Sequence, residues 1–147
     1  MRAKLSVLRA TYRLLRPGGR LAFTTIHLAP GLTKAQRRRG AVSGPPAVVG
    51  PDGRELLARA GFDVVLAEDV TGDFRASIIA WRAARLRHGD QLRALDAQAY
   101  EDRIATNTVE LQATEEGLLH RSLYVARRLR SKTSEAGRRG RGRAAPT

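Results

Sequence analysis

Leu5, Leu8, Tyr12 and Leu15 recur at spacings of three and four, which places them on one stripe of a helix over residues 2–15. Pro17 disfavours helix at Arg16, and Gly18-Gly19 provide the free backbone of a tight turn. Leu21 to Ile26 is then a short apolar run, suited to a strand covered on both faces. Residues 28–51 show no period and hold a basic run, Lys34–Arg39, and the stretch Gly44-Pro45-Pro46. They are expected to form a long loop, either a lid or a disordered insertion. Asp52 and Glu55 have the spacing of a capping box for a short helix whose Leu56, Leu57 and Ala60 face inward. Gly61 suits the left-handed position after that helix.

Phe62 to Val70 alternates imperfectly and predicts a second strand. Phe74, Ile78, Trp81 and Arg85 set a helical period from about residue 73, broken near Gly89. A further helix is expected from about Ala97 to Glu116, with Tyr100, Ile104, Thr108 and Leu111 on one side and Gly117 as its stop. Leu119, Leu123 and Val125 mark a third strand. The order is helix, strand, helix, strand, helical insert, strand, an α/β arrangement. Its first two strands, joined by a crossover helix, are expected to form a right-handed parallel pair. Three strands lacking one neighbour would leave an apolar edge open to association.

Composition narrows the picture. The 147 residues have room for one domain with a modest core, and no cysteine means no disulfide or thiolate chemistry. No apolar run is long enough to span a membrane, so neither a membrane nor a secretory route is expected; the expected compartment is cytoplasmic. The net charge of +13 is uneven: residues 130–147 hold a net +5, and Lys34, Arg37, Arg38 and Arg39 add four more. Residues 130–147 cannot bury a core and read as a disordered basic tail after a domain spanning 1–129 with its insert at about 73–116. Arginine outnumbers lysine 24 to 3, a bias that needs no nucleic-acid partner. None is expected, since the tail has no interleaved aromatic residues for base stacking.

The stretch Leu14-Leu15-Arg16-Pro17-Gly18-Gly19-Arg20-Leu21 resembles the class I S-adenosylmethionine-dependent methyltransferases, where such a turn leads into the fifth strand of a seven-stranded sheet. Glu55–Phe62 resembles that family's step through Ala-Gly-Phe into the sixth strand, and Glu68-Asp69-Val70-Thr71 the end of it. Glu116–Tyr124 resembles entry into the antiparallel seventh strand. The resemblance covers roughly residues 1–129. It implies a partial Rossmann-like sheet, equivalent to strands five, six and seven, from the C-terminal part of such a domain. It implies S-adenosyl-L-methionine as cofactor and methyl transfer to a small-molecule acceptor. The family's acidic-Gly-x-Gly-x-Gly loop is missing, since Gly137–Gly142 is an Arg-Gly run following no strand. No residue is therefore assigned to the cofactor, and this chain is expected to be a fragment that neither binds it nor acts alone.

What the resemblance leaves is the acceptor side. Thr24, Thr25 and His27 fall at the carboxyl end of the first strand, where open α/β sheets place ligands. His27 is the candidate general base. Trp81 is a candidate pocket wall, although Trp81, Phe74 and Tyr100 equally suit a core. Glu68 and Asp69 are adjacent in a strand and so point to opposite faces, which favours capping or ion pairing over joint acid–base work. His120 is expected to face solvent, the three histidines lack metal-ligand spacing, and no nucleophile with a matching base is recognisable. Two other function classes remain: a basic accessory protein bound to nucleic acid, and a subunit completed by a partner chain carrying the missing strands.

Overall fold

The computed structural model describes residues 2–44 and 53–129. Helix α1 (Arg2–Leu14) leads through the Pro-Gly-Gly turn to strand β1 (Arg20–Leu28); Gly18 there has φ +80°. Helices α2 (Lys34–Ser43) and α3 (Gly53–Arg59) precede β2 (Phe62–Asp69), and α4 (Thr71–Arg87) and α5 (Gly89–Glu115) precede β3 (Leu119–Arg128).

The three strands form one sheet in the order β1-β3-β2, with β3 antiparallel to both neighbours. The first two strands run the same way, but they are not the adjacent pair expected from the sequence. The last strand has inserted between them, so among the described residues each carries one ladder and one open edge. Antiparallel pairing along all of β1, from Arg20↔Arg127 to Leu28↔Leu119, explains the preference. A slip between Val64 and Leu66 bulges β2, the reason for its imperfect alternation.

Period two divides the sheet into two faces. Leu21, Phe23, Phe62, Val64, Ala67, Tyr124 and Ala126 share one face, where Leu57 of α3, Ala60 just after it, and Leu5, Leu8 and Tyr12 of α1 cover them. The predicted stripe of α1 and inward face of α3 are both in place, and Gly61 takes φ +94°. Arg128 fastens this layer by donating from Nη1 to the carbonyls of Tyr12, Arg13 and Leu15, which would otherwise be orphaned at the end of α1. On the opposite face Ile26, Leu28 and Leu119 pack with Ala113 and Leu118.

The expected loop over 28–51 contains a helix. Thr33 Oγ1 accepts the Gln36 N–H while Gln36 Oε1 accepts the Thr33 N–H, a capping box that starts α2. Its charged run carries no apolar stripe; contact comes from backbone at Gly40, against Leu28 and Leu118, and from the Arg39–Glu116 ion pair. Asp52, the proposed cap of α3, and the basic tail from 130 lie outside the described residues. The insert is a helical hairpin whose second arm kinks at Asp96, where φ is −162°. Asp96 Oδ1 accepts the Ala99 N–H at 2.9 Å, so the cap starts a helix where the periodicity places one, at Ala97. Phe74, Ile78 and Tyr100 are buried.

Candidate functional site

The carboxyl ends of β1 and β2 and the start of β3 meet at one rim of the sheet, and polar side chains replace the apolar core there. Thr25 lies opposite Ser122, His27 opposite His120, and Asp69 opposite Ser122 from the other side. All five therefore project from the face covered by α1 and α3.

His27 is half-buried and held at both ring nitrogens. Nδ1 lies 3.1 Å from the Leu28 carbonyl oxygen and Nε2 lies 2.8 Å from Ser122 Oγ. A carbonyl can only accept, so Nδ1 carries the proton, and in the neutral ring Nε2 accepts from the Ser122 hydroxyl. A hydroxyl paired with an imidazole that is itself oriented by a third group is the arrangement not recognisable in the sequence. The partners lie 95 positions apart, joined only by strand pairing.

His120 is half-buried, not fully solvent-facing: its Nδ1 lies 3.2 Å from Asp69 Oδ2, and its ring centroid is 6.1 Å from that of His27. Asp69 Oδ1 also accepts the Thr71 N–H at 2.8 Å at the start of α4. Hydrogen bonds from the Thr71 hydroxyl and backbone hold the Asp69 carboxyl below the usual carboxylate range; partial burial opposes them, and the two histidines add smaller attractions. Asp69 thus both caps and pairs. Glu68 points to the other face, opposite Leu123.

The four predicted acceptor-side residues are divided. Thr25 and His27 join the polar cluster. Thr24 faces the other side of the sheet, where Arg121 Nη2 donates to its Oγ1 at 2.8 Å while the guanidinium lies 4.9 Å from the Phe74 ring centre. Trp81 stands on α4 with 48% of its surface exposed, apart from both.

Along the free edge of β1 runs a groove of about 380 Å³. Val7 and Leu8 of α1, Leu21 and Phe23 form its apolar wall; Thr25 and His27 stand at its polar end, with Gly53 and Leu56 beside them. Val7 is 65% exposed in it.

No family model matches the chain, and no curated protein does. Solved structures do. Phosphoethanolamine N-methyltransferase 2 of Haemonchus contortus, in complex with S-adenosyl-L-methionine, superposes with a TM-score of 0.69 at 19% identity over 86% of this chain. This is part of the methyltransferase fold. A mycolic acid cyclopropane synthase in its apo form gives 0.69 at 18% identity over 84% of the chain. The cyclopropane synthase MmaA2 of Mycobacterium tuberculosis gives 0.66 at 16% identity over 84%. The matched part is 30%, 52% and 49% of those three proteins respectively, so this chain spans about a third to a half of their length.

The methyltransferase neighbour is solved with S-adenosyl-L-methionine, but the residues described here do not fit that cofactor. Holding it on a strand-to-helix turn calls for closely spaced glycines that let backbone approach the ligand. The turn after β1 holds Gly31 alone, and the turn after β2 leads to Gly72 alone. Among the described residues no group of histidine and carboxylate side chains could hold a metal ion, and no helix is long and apolar enough to cross a membrane.

Proposed function

We propose that this chain is the acceptor-side part of an S-adenosylmethionine-dependent methyltransferase, acting on a small molecule held at the rim where Thr25 and His27 stand. The cofactor-holding strands come from polypeptide outside this sequence. One observation carries this reading: among the described residues β1 is an edge strand with an unpaired ladder, beside a partly exposed apolar wall of Val7, Leu8, Leu21 and Phe23. An open ladder next to an apolar groove favours a further strand, whose backbone pairs with the ladder while alternate side chains fill the groove. The polar end beyond it, at His27, is left for the acceptor. Thr24 lines the same groove although its hydroxyl faces the other side of the sheet, and Trp81 lies away from the rim on α4. The same open edge favours completion by a partner chain over activity of this chain alone.

The test has two arms. Isothermal titration of this chain alone with S-adenosyl-L-methionine is expected to give no measurable heat; micromolar binding overturns the reading. Co-expression with the polypeptide encoded immediately upstream, if it carries a strand followed by an acidic-Gly-x-Gly-x-Gly turn, is expected to give a stable complex that binds the cofactor. Failure of that complex to form removes the completion step.

A further inference from the structure

We infer that His27 and Ser122 form a proton-accepting site for an acceptor bearing a phenolic hydroxyl. This deepens the reading of the rim as the acceptor site and rests on it. The geometry supplies both halves of the chemistry. The Leu28 carbonyl fixes the His27 tautomer through Nδ1–H, leaving the Nε2 lone pair as the base. The Ser122 hydroxyl, 2.8 Å away, shows that this nitrogen receives an O–H donor with good geometry. A phenol entering from the groove takes the place of Ser122 at Nε2. Its O–H bond breaks, the proton passes to Nε2, and the products are an imidazolium and a phenolate. Ser122, released from the nitrogen, donates its own O–H to the phenolate oxygen.

The class follows from what needs a base. An aromatic amine, neutral at pH 7, already presents a lone pair, and an alkylammonium brings a charge that the apolar surface at Leu56 disfavours; a hydroxyl gains most from losing its proton first. Among hydroxyls, phenols are the match, with an ordinary pKa of about 10 against about 6.5 for imidazole. Aliphatic alcohols lie far higher. The imidazolium charge is offset by Asp69, ionised and paired with His120 beside His27. Lys4 also lines the groove. Leu56, beside the polar end, offers apolar surface to a ring.

The probe is 4-nitrophenol, whose absorbance reports its ionisation, with 4-nitroanisole as the analogue that has no proton to give. Both are expected to bind the chain. Bound 4-nitrophenol should show its titration midpoint lowered by about one pH unit, a tenfold change in ionisation constant. His27→Gln should bind both probes and lose the shift; Ser122→Ala should reduce it, and Ser122→Thr restore it. If both probes bind and no shift appears, or if it survives in His27→Gln, the base assignment falls and the acceptor rim stands. A shift unchanged in Ser122→Ala removes the role of Ser122. If neither probe binds, the acceptor rim falls too.

Discussion

Gly53 lies against the buried ring of Tyr124 so closely that a Cβ there would sit 2.5 Å from both Cε2 and Cζ. That contact lets the first turn of α3 descend onto the middle strand, beside the polar rim. Tyr124 stacks on Phe23 with ring centres 5.5 Å apart and cannot swing away freely. Gly53→Ala should therefore destabilise the fold by about 1–3 kcal/mol through overpacking, read as a lower midpoint in urea denaturation. An unchanged midpoint would mean that α3 docks differently.

Leu57 is fully buried at the centre of the cluster formed by α3, β2 and β3. Leu57→Ala should cost about 2–5 kcal/mol, the range for a leucine truncated where the surroundings cannot collapse. Thermal melting followed by circular dichroism checks this. A loss below 1 kcal/mol would show a core looser than the packing described.

Asp96 gives the insert its second helix start by accepting the Ala99 N–H. Asp96→Ala should cost about 0.5–2 kcal/mol, and Asp96→Asn should recover most of it because the amide oxygen can accept the same bond. Hydrogen exchange of the Ala97–Glu101 amides reports the effect locally. Equal protection in both variants would argue against the cap.

Glu110 is pushed above the usual carboxylate range by burial, with Arg103, Arg121 and an Asn107 hydrogen bond opposing. The folded state therefore holds this proton more readily than the unfolded chain. Ionised Glu110 weakens the fold at neutral pH, and the penalty is relieved as pH falls through the raised value. Glu110→Gln should raise the melting temperature at pH 7, with the gap over the native chain closing toward pH 4. A gap that widens on acidification would reverse the sign and defeat the assignment.

Local patterning was enough for much of this molecule. The stripe Leu5-Leu8-Tyr12-Leu15, the turn at Gly18-Gly19, the short helix ending at Gly61 and the helix beginning at Ala97 all stand where spacing and punctuation put them. Each reflects interactions within a few residues, apolar periodicity or a backbone conformation open mainly to glycine. The resemblance beginning at Leu14–Leu21 also led to the fold shared with the solved methyltransferase.

Other features exist only through long-range pairing. The central place of β3 was hidden because alternation defines a strand's faces and says nothing of its neighbours. Helix α2 was hidden because it docks through Gly40 backbone and an ion pair, with no apolar stripe to read. Thr24 and Thr25 look alike in sequence, yet the pleat sends one to Arg121 and the other to the rim. The composition of the rim was hidden most of all. Ser122 meets His27, and Asp69 meets His120, only because three distant strands align in register. Sequence determined which segments could become helix or strand; the sheet's hydrogen-bond register decided which polar groups share a site, since that register sums contacts no local window contains.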